Sequence, residues 1–174
     1  MPRAAITALV LLVLCAQGIV GQTAQRVDFL RDSIAAKDDR YIRLLTGSTW
    51  TLSGPSTARV TDEVLIVFRD VKVRGRTRSM ATAYVNGEAF DAEEVSGRYA
   101  ASSGFLVVVV EARRNGEVLR LADGTLLAVS ESGQALTRTW APSYRALLTA
   151  NREYLHNLDE GRQAIKVSPL RKAP

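Results

Sequence analysis

Apolar and polar positions along this chain follow two rhythms. Between residues 22 and 46, Val27, Leu30, Ile34, Tyr41 and Leu45 recur at spacings of three, four, seven and four. Such spacings fall near one face of a helix, and the stretch holds no Gly or Pro, so 22–46 is predicted helical. Lys37-Asp38-Asp39 interrupts the stripe. One long helix fits, and so do two short ones, the second capped by Asp38 or Asp39; Gly47 is a natural stop. After Gly47 short β-branched runs alternate with turn signals: Ser53-Gly54-Pro55, Asn86-Gly87, Ser96-Gly97, Ser103-Gly104, Asn115-Gly116, Asp123-Gly124, Ser132-Gly133 and Glu160-Gly161. Strands at roughly ten-residue spacing, with no helical segment between them, predict an antiparallel all-β domain over 47–167.

The turn dipeptides also set registers. If Asp123-Gly124 is a two-residue loop, Leu121 pairs with Leu126, Leu119 with Ala128 and Arg120 with Leu127. If Asn115-Gly116 is another, Val110 pairs with Leu121, Ala112 with Leu119 and Glu111 with Arg120. Both turns place Leu119 and Leu121 on one apolar face, together with Val108, Val110, Ala112, Leu126 and Ala128. The opposite face holds the Glu111–Arg120 ion pair, but also Val107, Val109, Val118, Leu127 and Val129. It therefore needs a cover, for which the N-terminal helix is the candidate. Around Asn86-Gly87 the same reasoning puts Ala81, Ala83, Val85, Phe90 and Ala92 on one face, and Thr82, Tyr84, Asp91 and Glu93 on the other.

Farther on, Thr137–Trp140 and Arg145–Thr149 read as strands separated by Pro142. Tyr154–Leu158 and Ala164–Val167 read as a last hairpin. So many strands protect their edges by curling into a barrel or stacking as a sandwich, and a small barrel is favoured. Val118–Val167 supplies about five of its strands. The architecture resembles SH3-like barrels in general character only, and no family function follows. The sequence shows no repeat beyond the turn chemistry. Residues 168–174 read as a disordered tail.

The start of the chain sets the expected location. Arg3 is followed by an almost wholly apolar stretch from Ala4 to Cys15 and then by Ala16, Gly18 and Gly21. This is the composition of a cleaved secretory leader over 1–21, too short for a membrane span. Cys15 is the sole cysteine, and Leu14 before it is not the small residue of a lipoprotein signal. The expected mature chain is thus cysteine-free, exported to the periplasm or beyond, with no disulfide and no thiol nucleophile. Loss of Arg3 lowers the formal charge from +5 to +4, too mild to point to nucleic acid.

Little in the sequence carries chemistry. His156 is the single histidine, which excludes most triads and zinc sites. A two-residue loop at Glu160-Gly161 pairs His156 with Ile165 on the apolar face. A three-residue loop pairs Leu155 with Ile165 and moves His156 to the polar face. Glu88, Asp91, Glu93 and Glu94 form the densest acidic cluster, and Asp91 and Glu93 share a strand face at a spacing a hydrolase would accept. Lys72, Arg74, Arg76 and Arg78, with Arg69 behind them, surround Gly75, a predicted hairpin tip. Trp50 reads as core, and Trp140 beside Tyr144 as core or a ligand-facing pair. No nucleotide, metalloprotease or serine-hydrolase motif occurs, and no cofactor or metal is expected. The leading reading is a non-enzymatic binding or structural β-domain of the bacterial cell envelope. Its alternatives are a carboxylate-dependent hydrolase using Asp91 and Glu93, and a binder of an anionic polymer, lipid or acidic protein through Lys72, Arg74, Arg76 and Arg78.

Overall fold

The computed structural model describes residues 24–73, 75–140, 143–161 and 164–170. The expected leader, Arg74, Pro142 and the end of the expected tail lie outside these residues. The described chain is mainly β. Its first half runs through β1 (Gln25–Lys37), β2 (Tyr41–Leu44), β3 (Thr49–Leu52), β4 (Glu63–Val73), β5 (Arg76–Val85) and β6 (Glu88–Ser96). Its second half runs through β7 (Ser102–Arg113), β8 (Val118–Leu121), β9 (Leu126–Val129), α1 (Glu131–Thr137), β10 (Tyr144–Thr149), β11 (Tyr154–Asn157) and β12 (Ile165–Pro169).

The antiparallel ladders close on themselves twice. The order β1-β2-β3-β6-β5-β4 returns to β1, and β7-β8-β9-β12-β11-β10 returns to β7. Each half is a six-stranded ring, and closure removes the exposed edges an open sheet would leave. The second ring repeats the strand order of the first. Its opening strand β7 pairs antiparallel with β1, Val27 opposite Gly104 and Asp28 opposite Ser103. The two corresponding strands therefore meet about a local two-fold. Each also carries a bulge at the same place in the ladder to its next strand, between Ile34 and Ala36 in β1 and between Val109 and Glu111 in β7. Bulges add the local bend and twist that ring closure requires.

The helix expected over 22–46 is absent; β1 and β2 occupy those residues. The cause lies in which face of β1 is covered. Val27 and Phe29 bury on one face and Leu30 and Ile34 on the other, since alternate residues of a strand point to opposite sides. Reading across the switch produces the helix-like spacing. Tyr41 and Leu45, assigned to the same stripe, are exposed, while Ile42 and Leu44 are buried.

The hairpin registers hold in part. Asn86-Gly87 is a two-residue loop, with Val85 opposite Glu88 and Ala83 opposite Phe90. Thr82 and Tyr84, on the other face, are nevertheless also buried. Glu111 pairs with Arg120 and Ala112 with Leu119, as expected, but the bulge sets Val109 rather than Val110 opposite Leu121. Asp123-Gly124 belongs to a three-residue loop. Gly124 has φ +84 and its N–H donates to the Leu121 carbonyl, the geometry of a turn followed by a glycine bulge. Leu119 therefore faces Leu127, and Arg120 faces Leu126. The one-residue slip brings Leu127 and Val129 into the core with Val107, Val109, Leu119 and Leu121. The face that needed a helical cover is the ring interior.

Three further expectations change. Ser132-Gly133 lies inside α1 rather than in a turn, and Thr137–Trp140 is the end of α1 and the turn after it. Buried Thr137 donates its hydroxyl to the Gly116 carbonyl at 2.7 Å, and Leu136 and Trp140 pack on the second ring's core. So short a helix is held by packing rather than propensity. Ser168 and Pro169, placed in the tail, extend β12 against β9.

Each ring has its own core. Leu30, Ile34, Ile42, Leu44, Trp50, Leu52, Val64, Ile66, Ala83 and Val85 fill the first. A third cluster, Val27, Phe29, Leu65, Val67, Tyr84, Leu147 and Leu158, joins the rings. At this seam Gly161 lies so close to the Asn86-Gly87 turn that a Cβ there would run into the Gly87 nitrogen.

Candidate functional site

The two rings differ most in the hairpin between their fourth and fifth strands. β10 and β11 are short. β4 and β5 run on past their neighbours: β1 leaves β4 at Phe68 and β6 leaves β5 at Ala81. Beyond that point only β4 and β5 pair, from Arg69 opposite Met80 to Val73 opposite Arg76. The result is a two-stranded arm without a third strand. Its sequence, Arg69 to Met80, carries five cations and one acid, Asp70. Gly75 lies at its tip, as expected.

Arg76 and Arg78 are exposed and share a face, opposite Val73 and Val71. Among the described residues neither takes part in an ion pair. Lys72 occupies the intervening register position, opposite Thr77, and Arg74 lies outside the described residues. Arg69 turns back to the ring, donating to Thr82 Oγ1 at 3.0 Å. The basic cluster thus contains one root cation and an exposed Arg76–Arg78 pair.

At the root of the arm, where the first ring opens, lies a groove of about 460 Å³ lined by Arg26, Asp28, Phe68, Asp70, Ser79 and Ser103, with Gln25 and Val27 beside them. Cross-strand pairing assembles it: Asp28 opposes Phe68 and Ser103, and Asp70 opposes Ser79. The Ser103 hydroxyl donates to Asp28 Oδ1 at 2.7 Å. Beneath it, Phe68 stacks on Tyr99, ring centroids 5.5 Å apart and planes within 5°, and both rest on buried Trp50. The Tyr99 hydroxyl donates to Glu94 at 3.3 Å; burial, then the Glu94 charge, raises the phenol above its usual pKa. Sequence reading missed this groove. Its walls come from four strands distant in sequence, one of them within the supposed helix.

The acidic cluster divides. Glu88 accepts from the Thr57 hydroxyl at 3.0 Å and pins the loop before β4. Glu94 holds Tyr99. Asp91 and Glu93 share a face, as expected, but stand exposed beside a shallow groove of about 200 Å³. No apolar wall screens either from water. Among the described residues no cluster of three or more His, Cys, Asp or Glu side chains is arranged to hold a metal.

His156 takes neither expected place. Leu155 does pair with Ile165, yet His156 is buried, opposite Leu147 and 6.3 Å from the Phe29 ring, at the seam between rings. Its Nδ1 lies 4.0 Å from Glu63 Oε1, and Glu63 accepts from Arg31 Nε at 2.9 Å. Burial pushes the imidazole down to about 4, helped by the Arg31 charge and opposed by Glu63. Trp140 is core, edge-on to Tyr144 at 6.0 Å. No helix among the described residues is long and apolar enough to cross a membrane.

Compared with protein-family models, curated proteins and solved structures, the chain finds no match.

Proposed function

We propose that this chain is a non-enzymatic binding domain exported to the bacterial cell envelope, and that the Arg69–Met80 arm engages an anionic polymer there. The arm carries this reading. The second ring, otherwise built in the same strand order, has no counterpart to it. A two-stranded ribbon gains little stability by itself, and this one buries little that the ring needs. Exposed Arg76 and Arg78 share a face along which an extended polyanion can lie, each contact strengthened by charge. The leader-like start, Arg3 through Gly21, supports export, and the cysteine-free remainder suits either redox environment.

Retention of the purified protein on immobilised polyphosphate tests the reading. The wild type is expected to bind at low salt and to elute as salt screens the contact. Arg76→Glu combined with Arg78→Glu should pass through unretained while its circular dichroism is unchanged. Equal retention of both proteins would remove the arm from the function. In parallel, intact mass measured on periplasmic protein should correspond to a chain that has lost the leader.

A further inference from the structure

We infer that the mouth of the first ring is a second site, sharing Asp70 and Ser79 with the root of the arm, and that it takes a neutral sugar ring. The groove's volume suits one or two sugar units, and barrel mouths are common ligand positions. Its chemistry is mixed in the way a polyol requires. Asp28 and Asp70 supply acceptors for hydroxyl donors, Arg26 and Gln25 supply donors, and Ser79 and Ser103 supply both. Ser103 already holds one oxygen of Asp28, which fixes the carboxylate and leaves its other oxygen for a ligand.

Among the described residues Gln25, Arg26 and Asp70 make no side-chain hydrogen bond and no ion pair. Three polar heads therefore line the groove without neutralising one another. Phe68 adds an apolar surface for the C–H face of a pyranose. Tyr99 and Trp50 fix the orientation of that ring, so little side-chain entropy is lost on binding.

The corresponding positions of the second ring lack this chemistry. Counted from the matching bulges, Ser103 stands in β7 where β1 has Asp28, and the β7–β10 ladder ends at Gly104 opposite Thr149. The groove is thus built on the first ring, with Ser103 contributed by β7 of the second.

The test is titration of the full chain with a panel of neutral oligosaccharides built from hexose and from N-acetylhexosamine units. Amide NMR shifts and calorimetry serve as readouts. At least one panel member is expected to shift Asp28, Phe68, Asp70 and Ser79 together. Asp70→Ala, an exposed position, should weaken that binding about tenfold, the worth of one charge-assisted hydrogen bond. Phe68→Leu should weaken it while keeping the fold. If no sugar shifts the groove, or if both variants bind as the wild type does, the inference falls. Polyphosphate retention through Arg76 and Arg78 would stand in that case. A groove that binds sugar in a chain that ignores polyphosphate would instead keep this site and lose the arm.

Discussion

His156 is the residue whose burial has the clearest consequence. Its folded pKa of about 4 lies below the ordinary 6.5, so between those values the unfolded chain binds more protons than the folded one. Stability contributed by neutral His156 is fully present above pH 6.5 and is lost as pH falls toward 4. The groups that face it, Arg31 and Glu63, act in opposite senses and leave burial dominant. Urea unfolding should therefore show about 2 kcal/mol less stability at pH 5 than at pH 7. His156→Phe, which suits a site between Phe29 and Leu147, should flatten that slope. An unchanged slope in the variant would assign the effect to carboxylates. Glu111 contributes little between pH 5 and 7: its hydrogen bonds with Arg113 and then Arg120 lower its pKa from 4.5 to about 2, so the stability it lends is lost only as pH falls below its ordinary value.

At the scale of elements, register decides which leucines matter. Leu127 is wholly buried in the second ring and Leu126, its neighbour, is only half so. Leu127→Ala should cost about 2–5 kcal/mol in denaturant unfolding, and Leu126→Ala under about 1 kcal/mol. The reverse order would restore the two-residue loop that Asp123-Gly124 suggested. This pair also shows what was legible beforehand. The turn dipeptides bounded β5, β6, β8 and β9, matched Glu111 with Arg120, and placed Leu119 and Leu121 together, because those choices are local; Ser103-Gly104, also a turn signal, lies inside β7. The bulge at Val110 and the glycine bulge at Gly124 were not legible: each shifts its register by one residue, and the turn dipeptides alone do not fix that residue. β1 was misread for a related reason, since its covered face changes midway. Of the candidate site, the arm could be read from Gly75 and its cations. The groove could not, because Asp28, Phe68 and Ser103 meet only through long-range pairing.

For the molecule as a whole, the arm and the rings should be separable in energy. Replacing Val71–Arg78 by a two-residue turn joining Asp70 to Ser79 removes exposed ribbon and leaves both closed ladders intact. The shortened protein should keep its unfolding free energy within about 1 kcal/mol of the parent while losing polyphosphate retention. A large loss of stability would make the arm a structural strut. The rings, by contrast, share the seam of Val27, Phe29, Leu65, Leu147 and Leu158 and should unfold together in one transition. The meeting of β1 with β7 has a temporal consequence as well. All six strands of the first ring lie within residues 25–96, and all of the second within 102–169. A chain delivered N-terminus first can finish one ring before the other arrives. In that interval the start of β1, which β7 later covers from Gln25 to Phe29, is a bare strand edge. A second copy paused at the same stage offers the same strand, and the local two-fold means that the two would fit each other. Rapid arrival of the second half would cover that edge before a second copy could pair with it.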